Sequence, residues 1–243
     1  MGIITMVTAG KDGVGKSTVC ALAADSIEAL GKRVLIIELD TGLRSLDIMS
    51  GAYGVSVYDI FDVLSGRCSV EQAIVHAPSP RKEIYVLSAP YKNERVNGER
   101  FVKLVTSLNE SFDHILIDTS NHTGAIVAAS AVAMGAIVAA TPDPFSVRDA
   151  RIMADRLRDL SVPGIRLLIN RVVPQRIRLG VVPNLDYCID NVGARLIGVI
   201  PEDDEIALAV AKGKPLPKAG NLRRLFDNLA QRIYGNDVPL LIE

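Results

Sequence analysis

The sequence predicts an α/β fold, a doubly wound, mostly parallel sheet flanked by helices, and two observations carry that prediction. Apolar runs of strand length recur at residues 2–8, 33–39, 84–88, 114–117, 136–140, 166–170 and 196–200, and most are separated by segments of helical periodicity. Strand alternating with helix implies parallel strands joined by crossovers. The first run, GIITMVT, is rich in β-branched and apolar residues, as a strand covered by helices on both faces must be. At 243 residues and 49% hydrophobic content, the chain is long enough for one well-buried domain, 1–243, and too short for two of ordinary size.

After the first strand the chain turns on glycine into a helix. Val19, Leu22, Ala23, Ile27 and Leu30 fall on one face of that helix, and Gly31 stands where its stop belongs. Later helices are predicted at 97–110, 124–133, 145–160, 203–212 and 221–234, the last with Asn221 as N-cap and Gly235 as stop. Leu222, Leu225, Phe226, Leu229 and Ile233 form an apolar stripe on that last helix. Core packing is the first reading of the stripe, and an anionic lipid surface is the alternative.

Composition removes several function classes. A formal net charge of −1 argues against a surface coated in basic residues for nucleic acid. Cys20, Cys68 and Cys188 lack C-x-x-C spacing, so neither a zinc site nor a disulfide framework is implied, and Cys20 reads as a small core residue. No apolar run approaches the roughly 20 residues that cross a bilayer, and no cleavable leader is present, so a soluble, cytoplasmic protein is expected.

The chemistry is concentrated in Gly10-Lys11-Asp12-Gly13-Val14-Gly15-Lys16-Ser17-Thr18, a match to G-x-x-x-x-G-K-[ST] set between strand and helix. Glycines let the backbone curl so that successive N–H groups face a phosphate, and the helix N-terminus adds partial positive charge. Lys16 then reaches the β- and γ-phosphates, and Ser17 offers its hydroxyl to Mg²⁺. Asp118 ends the strand 113–118, where an apolar strand delivers a carboxylate to the phosphate loop for contact with Mg²⁺ through water. Asp40 likewise ends a strand. Lys11 is a second lysine in one loop. If Lys16 serves the chain's own nucleotide, Lys11 is available to the nucleotide of an apposed copy, as a cation completing charge stabilisation in trans.

On these residues the chain resembles the MinD/ParA family of ATPases, whose altered Walker A loop carries this extra lysine. Within the family it is most similar to the MinD branch, regulators of the division site. The resemblance extends to Ile36–Asp47, similar to the family's switch I, to Thr141–Ala150 and to Val199–Asp203, so it spans nearly the whole chain. It implies a P-loop fold, ATP and Mg²⁺ as ligands, face-to-face dimers bridged by ATP, and a protein partner of division-regulator type. It also implies that Lys11, Lys16 and Asp40 are catalytic, with Asp40 positioning the attacking water and touching Mg²⁺ through water. For the base it implies Asn170 at the purine edge beside Arg171, with Pro201, Glu202 and Asp203 along its face; both segments fall at C-terminal strand ends, where open α/β sheets hold ligands.

The chain departs from its relatives at four places. Glu38 replaces a common aspartate, and its extra methylene is expected to shift Mg²⁺ water contacts. Asp12 replaces a glycine at the dimer face; a like charge at about 6 Å and an effective dielectric near 20 costs roughly 3 kcal/mol, unless Asp12 pairs with Lys11. Either outcome alters dimerisation rather than nucleotide binding. Thr119-Ser120-Asn121-His122-Thr123-Gly124 replaces the proline-glycine switch II, which puts hydrolysis in question, and His122 reads as a solvated loop residue before it reads as a catalytic one. The chain stops at Pro239-Leu240-Leu241-Ile242-Glu243 without the family's amphipathic membrane helix, so direct membrane binding is not expected and peripheral association would lack its usual anchor.

The leading expectation is an ATP-dependent dimerising switch that binds and slowly hydrolyses Mg-ATP in placing the division site. Two alternatives stand beside it. One is a ParA-like DNA-partition ATPase, with Lys212, Lys214, Lys218, Arg223 and Arg224 in a stretch, 212–224, that contains no acid. The other is a nucleotide-locked scaffold that does not turn over.

Overall fold

The structure, a computed structural model, describes residues 1–41, 44–92 and 95–241. Gly42 and Leu43 of the switch I segment, and Ile242 and Glu243 of the terminal stretch, lie outside the described residues. In chain order the elements are β1 (Ile3–Ala9), α1 (Lys16–Ala29), β2 (Val34–Glu38), α2 (Leu46–Met49), α3 (Ile60–Ser65), α4 (Val70–Ala73), β3 (Val75–His76), β4 (Ile84–Leu87), α5 (Gly98–Leu108) and β5 (His114–Asp118). The second half runs α6 (Thr123–Ser130), β6 (Gly135–Ala140), α7 (Pro144–Asp159), β7 (Ile165–Val172), α8 (Pro174–Arg178), α9 (Leu185–Val192), β8 (Arg195–Pro201), α10 (Asp204–Ala211) and α11 (Asn221–Ile233).

Among the described residues, eight strands join one sheet in the order β3-β4-β2-β5-β1-β6-β7-β8. Every pairing is parallel except β3 with β4. The chain leaves β1 toward β2 on one side and later crosses from β5 to β6 on the other, so the winding reverses around β1. That reversal opens a crevice at the carboxyl ends of β1, β2 and β5. Register brings the acids there together: Asp118 is the Cα partner of both Val7 on β1 and Glu38 on β2.

Period-2 alternation sorts the strand side chains onto two faces. Ile4, Met6, Leu35, Ile37, Ile115 and Ile117 pack on one side with α5, α6, α7 and α9. Val7, Val34, Ile36, Leu116, Ile137 and Leu168 pack on the other with α1 and α11. Each fully buried Val, Leu or Ile contributes about 1.5–3 kcal/mol, so the two faces hold the sheet rigidly beneath the crevice. Phe226 and Leu229 of the α11 stripe are buried in this second core, and Leu222, Leu225 and Ile233 pack against it. The stripe is core, not a lipid-facing surface. Cys20 is fully buried, as expected of a core residue.

Two expectations about helix ends are corrected, in opposite directions. Gly220, at φ 127, is the N-cap of α11, and Asn221 is its first helical residue. Asp203, expected inside a helix, is instead the N-cap of α10, where its carboxylate accepts from the Glu205 N–H at 2.7 Å. Among the described residues, no helix is long and apolar enough to cross a membrane.

Candidate functional site

The loop between β1 and α1 takes its shape from two close approaches. A Cβ at Gly10 would meet the Asp149 carbonyl oxygen at 2.1 Å, and one at Gly15 would meet the Asn170 side-chain nitrogen at 2.2 Å. Gly15 is also the N-cap of α1 at φ 97, a conformation only glycine adopts without strain. Val14 turns inward against Ala9 and Ala139. Asn170, buried on β7, donates its Nδ2 to the Val14 carbonyl at 2.7 Å and supports the loop from below. Gly13, at φ 76, has open space above it.

At the head of α1, Lys16, Ser17 and Thr18 begin the helix, so the free N–H groups of its first turn point out of the loop. Lys16 is buried, with its side chain 4% exposed, and its Nζ lies 3.4 Å from Asp12 Oδ1 and 3.9 Å from Asp40 Oδ2. Ser17 Oγ donates to Asp118 Oδ2 at 2.5 Å. The other oxygen, Asp118 Oδ1, is buried with no hydrogen-bond partner among the described residues. Burial pushes the Asp118 carboxyl up to about 8, the Ser17 hydroxyl pulls it down, and the neighbouring Glu38 pushes it up further. Burial also raises Asp40, against the attraction of Lys16.

A buried, unpartnered carboxylate oxygen beside a serine hydroxyl is a hard-oxygen donor set with unused acceptor capacity. That chemistry fits Mg²⁺, which prefers a few protein oxygens together with water and phosphate. Ser17 would offer its oxygen to the ion, and Asp118 and Asp40 would hold the ion's waters.

Three of the four sequence departures lie near this site and behave differently from one another. Asp12 pairs with Lys16 within its own chain and accepts from Asn121 Nδ2 at 3.4 Å, so of the two alternatives for Asp12 the pair with Lys11 is not formed within the chain. Lys11 instead lies 3.3 Å from Asp143 Oδ2. Asp143 is the N-cap of α7, accepting from the Ser146 N–H at 2.9 Å and from the Thr141 hydroxyl at 2.6 Å. Glu38 is fully buried and uses its carboxylate on backbone: Oε1 accepts from the N–H groups of Ser45 at 2.7 Å and Leu46 at 3.1 Å, and Oε2 from Ala89 at 3.3 Å. Both its oxygens are thus engaged in organising the chain leading into α2 and the end of β4, whereas the sequence leads one to expect a carboxylate that shifts Mg²⁺ water contacts. Burial lifts it to about 7, against the pull of those N–H donors. In the switch II segment Thr119 is tied to the Val7 carbonyl, and His122 is exposed at the N-cap of α6 without a side-chain capping bond.

Of the residues expected at the base, two line one cleft, while Asn170 turns its amide to the Val14 carbonyl instead. Arg171, at φ 57, and Glu202 line a cleft of about 240 Å³ together with Thr141, Pro142 and Asp143. Pro201 ends β8 opposite Val172, and Asp203 caps α10 as described. Nothing in the sequence marks Asp143 as the partner of Lys11, although an Asp-Pro pair with Ser three residues after the Asp is an N-cap pattern that fixes the carboxylate at a strand-to-helix junction.

The fold and the loop define a P-loop nucleotide-binding domain. Residues 5–216 match the family described as CbiA, the CobQ/CobB/MinD/ParA nucleotide binding domain, and the chain belongs to that family. It is 33% identical to the septum site-determining protein MinD of Synechocystis over 99% of this chain and 92% of that protein. With MinD of Bacillus subtilis it shares 31% identity over 100% and 92% respectively. The solved MinC:MinD cell division protein complex of Aquifex aeolicus contains a similar chain at TM-score 0.90 and 28% identity, covering 99% of each.

Proposed function

We propose that the chain is an ATP-dependent dimerising switch of MinD type that acts in placing the cell-division site and is turned off by slow hydrolysis. The observation that carries this reading is the Ser17–Asp118 hydrogen bond beside Asp118 Oδ1, which has no partner among the described residues, with Lys16 next to it and Asp40, from the end of β2, 3.9 Å from the Lys16 Nζ. Backbone N–H groups of residues 13–17 grip the phosphates, and Lys16 leaves Asp12 to neutralise the β- and γ-oxygens. Mg²⁺ supplies charge neutralisation of the phosphates when bound. Asp40 orients the attacking water, and because phosphoryl transfer runs through a loose transition state its role is mainly geometric. Arg171 and Glu202 flank the base, with Pro201 and Asp203 beside it and Asn170 fixing the loop beneath.

Lys11 acts in trans, on the nucleotide of a second copy. Its pair with Asp143 is over a third exposed on the lysine side, and such pairs contribute only about 0–1 kcal/mol, so release is easy. Likeness to the MinC:MinD complex supports a regulator-type protein partner for the composite surface. Light scattering should give a dimer mass with Mg-ATP and a monomer mass with Mg-ADP. Lys11→Ala should abolish that shift while nucleotide affinity stays within about twofold. A mass independent of nucleotide would refute the switch.

One observation favours the locked scaffold as a second reading. Asp12 already occupies Lys16, so its carboxylate competes with the γ-phosphate for the same ammonium. Phosphate release above background that is lost in Asp40→Ala would exclude it.

Binding should also respond to pH. Asp118, at about 8, lies above its ordinary 3.8, so folding without metal favours the protonated acid. That contribution to stability is complete below 3.8 and is lost as pH rises through about 8. A Mg²⁺-nucleotide complex needs the carboxylate, so its affinity should rise with pH across the neutral range and its binding should release a proton. Calorimetry in buffers of different ionisation heat measures this, and Asp118→Asn should remove the proton release while Glu38→Gln keeps it.

A further inference from the structure

Away from the nucleotide crevice, a groove of about 890 Å³ is framed by residues 79–83 and 214–218 and by α1 and α11. Its floor is preorganised by Arg81, which is buried. Arg81 holds Asp25 of α1 through two hydrogen bonds, at 2.6 and 3.0 Å, and its Nη1 donates to the carbonyls of Ser50 at 2.9 Å and Gly213 at 2.7 Å. The backbone carrying the lysines of 214–218 is therefore fixed to α1 and to the end of α2.

Charge on the groove is arranged unequally. Its acids are engaged from within the chain: Asp25 by Arg81, Glu83 by Arg33 at 3.4 Å, and Asp227 by Arg223 at 2.9 Å. Glu28 accepts the N–H groups of Lys82 and Glu83. The exposed Lys82, Lys214 and Lys218 form no ion pair among the described residues. The stretch 212–224, free of acids in sequence, thus meets Glu28, Glu83 and Asp227 in space.

We infer that this groove is a docking site for an acidic, extended peptide segment of a partner protein. Carboxylates along such a segment meet the three free ammonium groups, and apolar residues between them lie on Pro80, Pro215 and Pro217. A nucleic-acid backbone fits less well, because its evenly repeated phosphates would also lie against the carboxylates of Glu28, Glu83 and Asp227, which the spaced acids of a peptide avoid. This inference goes beyond the nucleotide switch and does not depend on it.

The test is fluorescence anisotropy with a fluorescein-labelled peptide of repeating Glu-Pro-Leu, against its Gln-Pro-Leu counterpart, with no nucleotide added. The acidic peptide should bind, more weakly as salt is raised. The combined variant Lys82→Glu, Lys214→Glu, Lys218→Glu should weaken it at least about tenfold. Lys103→Glu, exposed on α5 at the other face, should leave binding unchanged, and an unaltered thermal midpoint and unaltered ATP affinity in the triple variant show that the fold and the nucleotide site are intact. Equal binding of the neutral peptide, no binding of the acidic one, or an undiminished triple variant would each overturn the inference. Tighter competition by duplex DNA would reassign the groove to nucleic acid.

Discussion

Lys16→Ala is expected to weaken Mg-ATP binding by at least about 100-fold, or about 2.8 kcal/mol. The size of the effect follows from what remains. Lys16 is the buried cation between Asp12 and Asp40, with its side chain only 4% exposed, and Asp118 stands nearby as a third carboxylate. Removing the ammonium leaves the loop's N–H groups, the helix N-terminus and Mg²⁺ to hold the triphosphate against those acids. Buried charges that lose a partner cost several kcal/mol, in contrast to surface pairs. Titration calorimetry gives the affinity directly, and a Kd within threefold of the parent would contradict this account of the loop. Lys11→Ala, by comparison, removes a half-exposed group and should affect assembly rather than affinity.

Arg81→Ala should lower unfolding free energy by about 3–5 kcal/mol in urea, the range for breaking a buried pair on one side. Arg81 and Asp25 are 3% and 4% exposed at their side chains, so neither can turn to water for compensation. The substitution also strips the Ser50 and Gly213 carbonyls of their donor. Gly51 and Gly213 pack backbone to backbone there, a Cβ on Gly213 meeting the Gly51 Cα at 2.6 Å, so the junction has little room to relax. Replacing both partners, Arg81→Met with Asp25→Leu, should recover most of the loss because the uncompensated charge is gone. A single-variant loss below about 1 kcal/mol would mean the pair behaves as a surface contact.

The sheet and the phosphate loop were legible because their signals are local and continuous. An apolar run such as VLII and the G-x-x-x-x-G-K-[ST] spacing each sit within a few residues. The short elements were not anticipated, although some wrote their own signatures. Asp59 and Asp62 form a capping box that opens α3, Ser69 and Gln72 form another at α4, and Asn184 caps α9. Those helices run only 6, 4 and 8 residues, too short for periodicity to stand out from the neighbouring loops. The long-range pairings were illegible for a different reason. Lys11 and Asp143 are 132 residues apart, and Asp25 and Arg81 are 56 apart, so only the assembled sheet brings them together. Asp12 illustrates the limit: its neighbour in sequence, Lys11, was the obvious partner, but the turn of α1 presents Lys16 four residues on.

The prop beneath the phosphate loop has a kinetic corollary. Because Asn170 holds the Val14 carbonyl and two glycines lie hard against β7 and α7, the curl of the loop is dictated by the protein and needs no guest to fold it. Little entropy is then lost in the loop when a nucleotide arrives. Association should run at a rate governed by diffusion and charge steering, and differences among nucleotides should appear in how slowly each departs.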